Sequence, residues 1–511
     1  MDIAGVFSAA VARDPEALAL VDGDVRRSYA EWEHDVSRVA AGLAAQGLTK
    51  GEHLLCVMPN GYPMATLYWA CQFLGAIFTP FNWRATDSEI AYAVNDSEAR
   101  IVAIDEKAVA LPNAAQNHLV TIGERPDGPS FAELLRSDPL DRRAGLADED
   151  ICLMLYTSGT TGRPKGVPRP VRAERIAAAS VIAHLRYRFG ERTLGVMPLF
   201  HTMGIRNLLC SAMLNGAFIN MAGFDAGRAL SLIEEERIGA LFLVPTMFHD
   251  MLGHETFASR DRGSVRIVAY AGMAMTGALE RRCAEGFAPE IFANYYGSSE
   301  IFTFACCDYL DVKPGAAGRA GINQILRIVR ADPEGLARPD EILPAGEIGE
   351  VVASMQSPEA FAGYWKRPDA DARAIRDGWY FTGDLGHRDA DGTLFLCGRT
   401  DDMIISGGEN IHPEEVEELL AENEWVEAVA VVGLPDERWG QKVVAFVEPT
   451  GTGASADALD DWCQASPLAR FKRPRAYVFV ERLPRSASGK LLRRLLRDGE
   501  YSARTDFKST L

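Results

Sequence analysis

The sequence has no C-x-x-C pair; its nine cysteines are scattered, with one adjacent pair at Cys306 and Cys307. Neither a zinc ribbon nor a disulfide framework follows from that spacing, and reduced thiols are expected. No apolar run approaches the roughly 18 residues of a membrane span, since the stretch from Trp69 to Phe81 is broken by Gln72, Gly75 and Thr79. The first residues, Met-Asp-Ile-Ala-Gly-Val, carry none of the positive charge of a secretory leader. A cytoplasmic protein with no membrane insertion is expected. Positive charge is also short: 53 Lys and Arg face 71 Asp and Glu, a net of −18. That balance disfavours nucleic acid and anionic membranes as partners, so an anionic ligand needs a local basic patch. No repeat of 20 to 50 residues and no low-complexity linker interrupts the chain.

What is present is enough for several folding units: 511 residues, 47% apolar and 24% charged, as in ordinary globular proteins. From about residue 50 to 300, short apolar runs alternate with helical patterns. The runs are His53 to Met58, Arg100 to Ile104, Leu153 to Tyr156, Leu194 to Pro198, Leu241 to Val244, Val265 to Tyr270 and Ile291 to Tyr295. This alternation predicts parallel sheets with crossover helices, with ligands beyond the carboxyl ends of the strands. Past residue 310, turn signals at Asp332-Pro333-Glu334-Gly335 and Asp389-Ala390-Asp391-Gly392 predict a smaller antiparallel or barrel-like region. After Arg399 the pattern is a compact α+β unit, with helices over His412 to Ala421 and Ala456 to Gln464 and strands over Glu427 to Leu434 and Lys442 to Glu448. The expected architecture is α/β: a large N-terminal domain over residues 1–400 with parallel α/β subdomains and a β-rich subdomain, then a small mobile α+β domain over 401–511.

The most specific segment is Tyr156-Thr157-Ser158-Gly159-Thr160-Thr161-Gly162-Arg163-Pro164-Lys165-Gly166, directly after an apolar run. Glycines let the backbone approach a phosphate, while hydroxyls, amides and Lys165 donate hydrogen bonds to its oxygens. A solvated Gly/Thr turn is the plain alternative. A Walker A loop is disfavoured, because Gly162 is followed by Arg163 and Lys165 by Gly166.

With this segment the chain resembles the acyl-adenylate-forming superfamily, which includes acyl-CoA synthetases, luciferases and adenylation domains of peptide synthetases. Further signatures follow in order: Asn294-Tyr295-Tyr296-Gly297-Ser298-Ser299-Glu300, Gly378-Trp379-Tyr380-Phe381-Thr382-Gly383-Asp384, Gly398-Arg399-Thr400-Asp401-Asp402 and Pro484-Arg485-Ser486-Ala487-Ser488-Gly489-Lys490. Asp401 to Pro413, Arg438-Trp439-Gly440-Gln441 and Phe471-Lys472-Arg473-Pro474 are similar to the bacterial 4-chlorobenzoate:CoA ligase group. Ser299 departs from the usual Thr but keeps the hydroxyl.

The resemblance implies an ATP-dependent carboxylic acid:CoA ligase using Mg²⁺, with an acyl-AMP intermediate and release of pyrophosphate. Lys490 matches the lysine that bridges the acid and the α-phosphate, and Glu300 the carboxylate that holds Mg²⁺; a glutamate in a helix first turn is the alternative for Glu300. Thr157, Ser158, Gly159, Thr160, Thr161, Gly162 and Lys165 would cradle phosphates, with Gly297, Ser298 and Ser299 beside them. Tyr296 would stack on adenine, and Asp384 with Arg399 would hold the ribose. His201, Met203, Met247, Phe248, Ala271, Gly272, Ile301 and Phe302 would make a mainly apolar acid chamber, suited to a benzoate-type or alicyclic acid. Arg206, one turn beyond His201, either faces solvent or meets a polar substituent.

Ten basic residues and one acid, Glu481, lie between Arg470 and Arg497, the local patch that polyanionic CoA requires. By resemblance Arg84, Trp439, Phe471, Arg473 and Arg475 hold the CoA nucleotide, while Ser406, Gly407, Gly408 and Glu409 line the passage for its pantetheine arm. Asp401 matches the hinge between two catalytic conformations, and a homodimer stays open. Alternatives are a ligase for a short or medium aliphatic or polar-substituted acid, or an adenylating enzyme that loads a carrier protein.

Overall fold

A computed structural model of the chain describes all residues except 106–117, 123–127, 158–163, 333–336, 452, 486–490, 508 and 511, and the backbone alone for 118–122 and 410. Two compact units emerge, one of residues 1–325 and 354–373, the other of 326–353 and 374–511.

The first unit contains two sheets. A six-stranded sheet runs in the order His118–Ile122, Ile101–Asp105, His53–Val57, Ile77–Phe81, Ile151–Thr157 and Lys165–Pro170. All its neighbours are parallel except the last pair, which is an antiparallel hairpin. His53–Val57 and Ile77–Phe81 are buried along their whole length, as strands covered on both faces must be. The helix Tyr62–Leu74 between them has Pro63 in its first turn and stops at Gly75, whose φ of +69° suits a residue without a Cβ. The next helix, Asp87–Ser97, starts from a capping box of Thr86 and Glu89.

The second sheet of this unit has a parallel centre, Ile291–Tyr296, Ile267–Ala271, Ala240–Leu243, Arg192–Gly195, Ala217–Asn220 and Leu18–Asp22, with antiparallel strands at its ends. The alternation in the sequence therefore does mark parallel sheets. Rings of Phe7, Trp32, Trp69 and Phe73 interlock near the N-terminal helix Ile3–Arg13, with centroids 4.6 to 6.4 Å apart. Burial of each contributes about 1.5 to 3 kcal/mol. The run expected as one strand from Leu194 to Pro198 leaves the ladder after Gly195. Pro198 has no N–H, and the Asn60 amide takes over the pairing by donating to the carbonyls of Gly195 (3.2 Å) and Met197 (2.8 Å).

The second unit begins with antiparallel strands Leu326–Val329, Gly349–Ser354, Trp379–Arg388 and Leu394–Arg399. The turn at Asp389 forms as expected, its carboxylate accepting from the amides of Asp391 (3.0 Å) and Thr393 (2.9 Å). A five-stranded sheet follows: Glu409–Ile411, Ile404–Ser406, Gly440–Pro449, Val426–Asp436 and Ala476–Phe479. Helices Pro413–Ala421 and Ala456–Ala465 cover one face, burying Val416, Leu420, Leu459 and Cys463 against Val431, Val443, Ala445 and Phe479. The expected boundary at 400/401 falls inside this unit, between the strands Leu394–Arg399 and Ile404–Ser406.

Candidate functional site

Four adjacent parallel strands of the first unit, Arg192–Gly195, Ala240–Leu243, Ile267–Ala271 and Ile291–Tyr296, end on one edge of their sheet. His201, Met247, Ala271 and Glu300 all follow from these ends, the usual location of ligand sites in such sheets. After Tyr296 the chain makes a tight turn. A Cβ on Gly297 would lie 1.6 Å from the carbonyl oxygen of Phe302, so no larger residue fits. Ser298 Oγ accepts from the amides of Glu300 (3.2 Å) and Ile301 (3.3 Å), fixing the turn that presents Glu300. Ser299 beside it is partly buried. Tyr296 packs on Phe304 with centroids 5.0 Å apart.

Glu300 is not in a helix, contrary to the alternative weighed for it; Ile301 bridges to Ala360 instead. Its carboxylate Oε1 accepts from the Tyr364 hydroxyl at 2.7 Å. Lys165 Nζ sits 4.0 Å above the centroid of the same tyrosine ring. Burial pulls the Lys165 ammonium below its ordinary pKa, with the Glu300 charge opposing. Thr157 and Lys165 are partners in an antiparallel strand pair; Ser158, Gly159, Thr160, Thr161 and Gly162 lie outside the described residues. The hard carboxylate of Glu300 fits Mg²⁺, which takes one or two protein carboxylates and completes its shell with phosphate oxygens and water.

His201 caps the helix Thr202–Met213 and packs on Phe200, centroids 4.8 Å apart. Burial pushes its pKa down to about 4, which leaves the imidazole neutral at physiological pH. Met203, Ala271, Ile301 and Phe302 are buried. Gly272 has φ +86°. Met247 is partly exposed, whereas Phe248 turns fully into the core against Phe287. Arg206 requires a correction: it neither faces solvent nor stands free to meet a substituent. It is fully buried, with Nη2 on Glu174 Oε1 at 2.8 Å, Nη1 on the Glu174 carbonyl at 2.6 Å, and its guanidinium 4.8 Å over the Phe302 ring. Burial works against ionised Glu174, but Arg206 and Arg169 together hold its carboxyl below the ordinary range.

In the second unit Asp384 and Arg399 are ladder partners joined by a 2.9 Å ion pair. Asp401 is exposed just beyond, its carbonyl accepting from Arg497 at 3.3 Å. Ser406, Gly407, Gly408 and Glu409 form a two-residue hairpin, with φ +62° and +88° at the glycines. The Gly407 amide donates to the Trp439 carbonyl at 2.8 Å, and Arg475 lies 5.2 Å over the Trp439 ring. Phe471 is exposed beside Lys472, and Arg473 is partly buried. Arg84 belongs to the first unit, exposed against Trp83 at 4.5 Å. Lys490 lies outside the described residues.

Two residues joined to Glu300 were not foreseen, Tyr364 and Arg169, nor was Glu359, whose carbonyl shares Arg169 Nη1 with that of Glu300. The first sits in the aromatic turn Gly363-Tyr364-Trp365, the only local hint of its place, and Arg169 stands between two prolines.

The model of the AMP-binding enzyme family matches residues 7–365, and that of the AMP-binding enzyme C-terminal domain matches 415–490. The chain is 36% identical to a feruloyl-CoA synthase of Amycolatopsis sp, covering 94% of this chain and 95% of that one. It is 34% identical to the long-chain-fatty-acid–CoA ligase FadD13 of Mycobacterium tuberculosis (94% of each covered) and 34% identical to a 4-chlorobenzoate–CoA ligase of Arthrobacter sp (95% and 93%). Among solved structures, an anthranilate CoA ligase in complex with anthranoyl-AMP superposes with a TM-score of 0.90 at 27% identity, covering 98% and 97%. The chain belongs to the AMP-binding enzyme family, within the acyl-adenylate-forming superfamily, and is an ATP-dependent, AMP-forming acid–thiol ligase.

Proposed function

We propose that the acid is a compact aromatic or alicyclic carboxylate without a second charge, and that the acceptor thiol is coenzyme A. The observation that carries the acid class is the burial of Arg206 on Glu174 behind Phe302, which engages its charge within the core and leaves an aromatic ring on that wall. Neutral His201 and the apolar side chains of Met203 and Ile301 are consistent with it. In the first half-reaction a carboxylate oxygen attacks the α-phosphorus of ATP and the bond to the departing pyrophosphate breaks. Mg²⁺, when bound, neutralises phosphate charge. Glu300 holds it, positioned by Ser298 and Tyr364; Lys165 and Lys490 supply positive charge to the triphosphate, and Asp384 with Arg399 orients the ribose. In the second, the CoA thiol displaces AMP from the acyl carbon, with Trp439, Phe471, Arg473 and Arg475 holding the nucleotide end. Nine unpaired cysteines, all but Cys397 buried, support a reducing compartment, the cytoplasm. Among the described residues no helix is long and apolar enough to cross a membrane.

The test is kcat/KM for pyrophosphate release across a panel of acids. Benzoates and cinnamates with neutral substituents rank first. Acetate leaves most of a compact chamber unfilled, palmitate exceeds it and phthalate would bury a second carboxylate without a partner, so all three fall at least about tenfold lower. Palmitate or phthalate at the top of the series overturns the assignment.

A further inference from the structure

Glu300 is held from below by a buried ionic cluster that the reaction itself does not call for. Arg169 leaves the strand Lys165–Pro170 with no exposed atoms, and its Nη1 donates both to the carbonyl oxygen of Glu300 (2.7 Å) and to that of Glu359 (2.9 Å). Its Nε donates to Glu174 Oε1 at 2.9 Å, the oxygen that Arg206 also takes. Glu359 closes the cluster: one carboxylate oxygen accepts from the Thr303 amide at 3.0 Å, the other from the Ser180 hydroxyl at 2.5 Å. The segment from Glu300 to Thr303 is thereby fixed at both ends, its first carbonyl on Arg169 and on the Phe361 amide (2.9 Å), its last amide on Glu359.

Two arginines and two glutamates taken out of water are an expensive way to fasten a loop, since apolar side chains of the same volume stabilise equally well or better. What such a cluster supplies beyond packing is a backbone that can stand in only one place, because any shift leaves a buried charge without its partner. The side chain rising from that backbone is Glu300, with Tyr364 on Oε1 and, among the described residues, no hydrogen bond on Oε2. Magnesium tolerates little error in the distance to an oxygen ligand, so a backbone displacement of a few tenths of an ångström at Glu300 is felt directly.

We propose that Arg169 is a positioning residue for the magnesium-binding carboxylate of Glu300, acting through the Glu300 carbonyl. The proposal rests on the assignment of Glu300 as the Mg²⁺ ligand. Its test uses no acid: the Kd of ATP is measured by calorimetry on the full chain with Mg²⁺ and with EDTA, and the ratio of the two is compared between variants. Arg169→Lys keeps the charge, but one ammonium cannot hold both carbonyls and Glu174 together, which arginine reaches from Nη1 and Nε. Arg169→Gln leaves Glu174 paired one to one with Arg206 and serves if the lysine variant does not fold. Arg206→Lys, which touches the same Glu174 and meets the Glu300–Thr303 segment through the Phe302 ring rather than through a backbone hydrogen bond, reports general loosening of the core.

The Arg169 variants lose the Mg²⁺-dependent tightening of ATP by about tenfold, the scale of outer-shell effects on metal sites. Their Kd in EDTA stays within about twofold of wild type, and Arg206→Lys keeps the wild-type ratio. An unchanged ratio in a folded Arg169 variant, or an equal fall in Arg206→Lys, overturns the positioning role. A wild-type ratio of one refutes instead the assignment of Glu300 on which the proposal stands.

Discussion

Glu350, on the strand Gly349–Ser354, lies directly behind the Gly383-Asp384 pair, its Oε1 accepting from the Gly383 amide at 3.0 Å. Burial raises its carboxyl to about 7 from an ordinary 4.5. Between those values the folded state keeps a proton that the unfolded chain gives up, so this group's contribution to stability is lost as pH rises from about 4.5 through 7. Glu350→Gln removes the titration and retains an acceptor for Gly383. The melting temperature of the variant minus that of wild type should climb across this window, by an amount on the order of 2 kcal/mol in stability. Other shifted groups, such as His53 and His201, are common to both proteins and cancel. A difference that stays flat from pH 4.5 to 8 contradicts the buried-acid assignment.

At the same scale, the placing of Gly297, Ser298 and Glu300 on one loop was legible because the hydrogen bonds that shape it are local, two and three residues apart. Tyr364 and Arg169 reach Glu300 from 64 and 131 residues away, and no pattern within one segment carries that information. Arg206 was misread for the same reason. Its helical spacing places it near His201, but its partner Glu174 lies 32 residues earlier on another helix.

Among the elements, the hairpin Ile404–Ser406 and Glu409–Ile411 shows how backbone geometry and the packing of Trp439 are joined. Gly407 and Gly408 both have positive φ, as a two-residue turn requires, and a Cβ on Gly407 would meet the Trp439 ring at 2.9 Å. Gly407→Ala costs about 1 kcal/mol in left-handed strain and pushes the indole aside. The KM for CoA should then rise by about tenfold, while acid-dependent pyrophosphate release without CoA stays at the wild-type rate. An adenylation rate that falls as far as the CoA step removes the hairpin from the CoA path. Buried parallel strands were readable as unbroken apolar runs, and the long pair Val426–Asp436 and Gly440–Pro449 only exceeded its expected ends. The run at Leu194 to Pro198 was not, because a side chain at Asn60, far earlier in the chain, does the pairing that a sequence pattern assigns to backbone.

Across the whole molecule, the groups assigned to the reaction are divided between the two units. The first carries Lys165, Glu300 and the acid chamber; the second carries Asp384, Arg399, the Gly407 hairpin and Trp439 with Arg475. The signatures were legible because each is a contiguous string, and their order along the chain implied one reaction joining ATP, an acid and CoA. The acid itself was harder to read, since the residues assigned to its chamber follow four strand ends that lie far apart in sequence, and the ion pair behind Phe302 joins two different helices. The claim that unites both units is a ligation in two steps through an acyl-AMP. Rapid quench of the enzyme with ATP, Mg²⁺ and benzoate, followed by addition of CoA, tests it most directly. Without CoA, benzoyl-AMP and pyrophosphate form in a burst approaching one per active site; on adding CoA, benzoyl-AMP decays at the rate at which benzoyl-CoA and AMP appear. Formation of ADP and phosphate, or benzoyl-AMP that persists when CoA is added, contradicts the account.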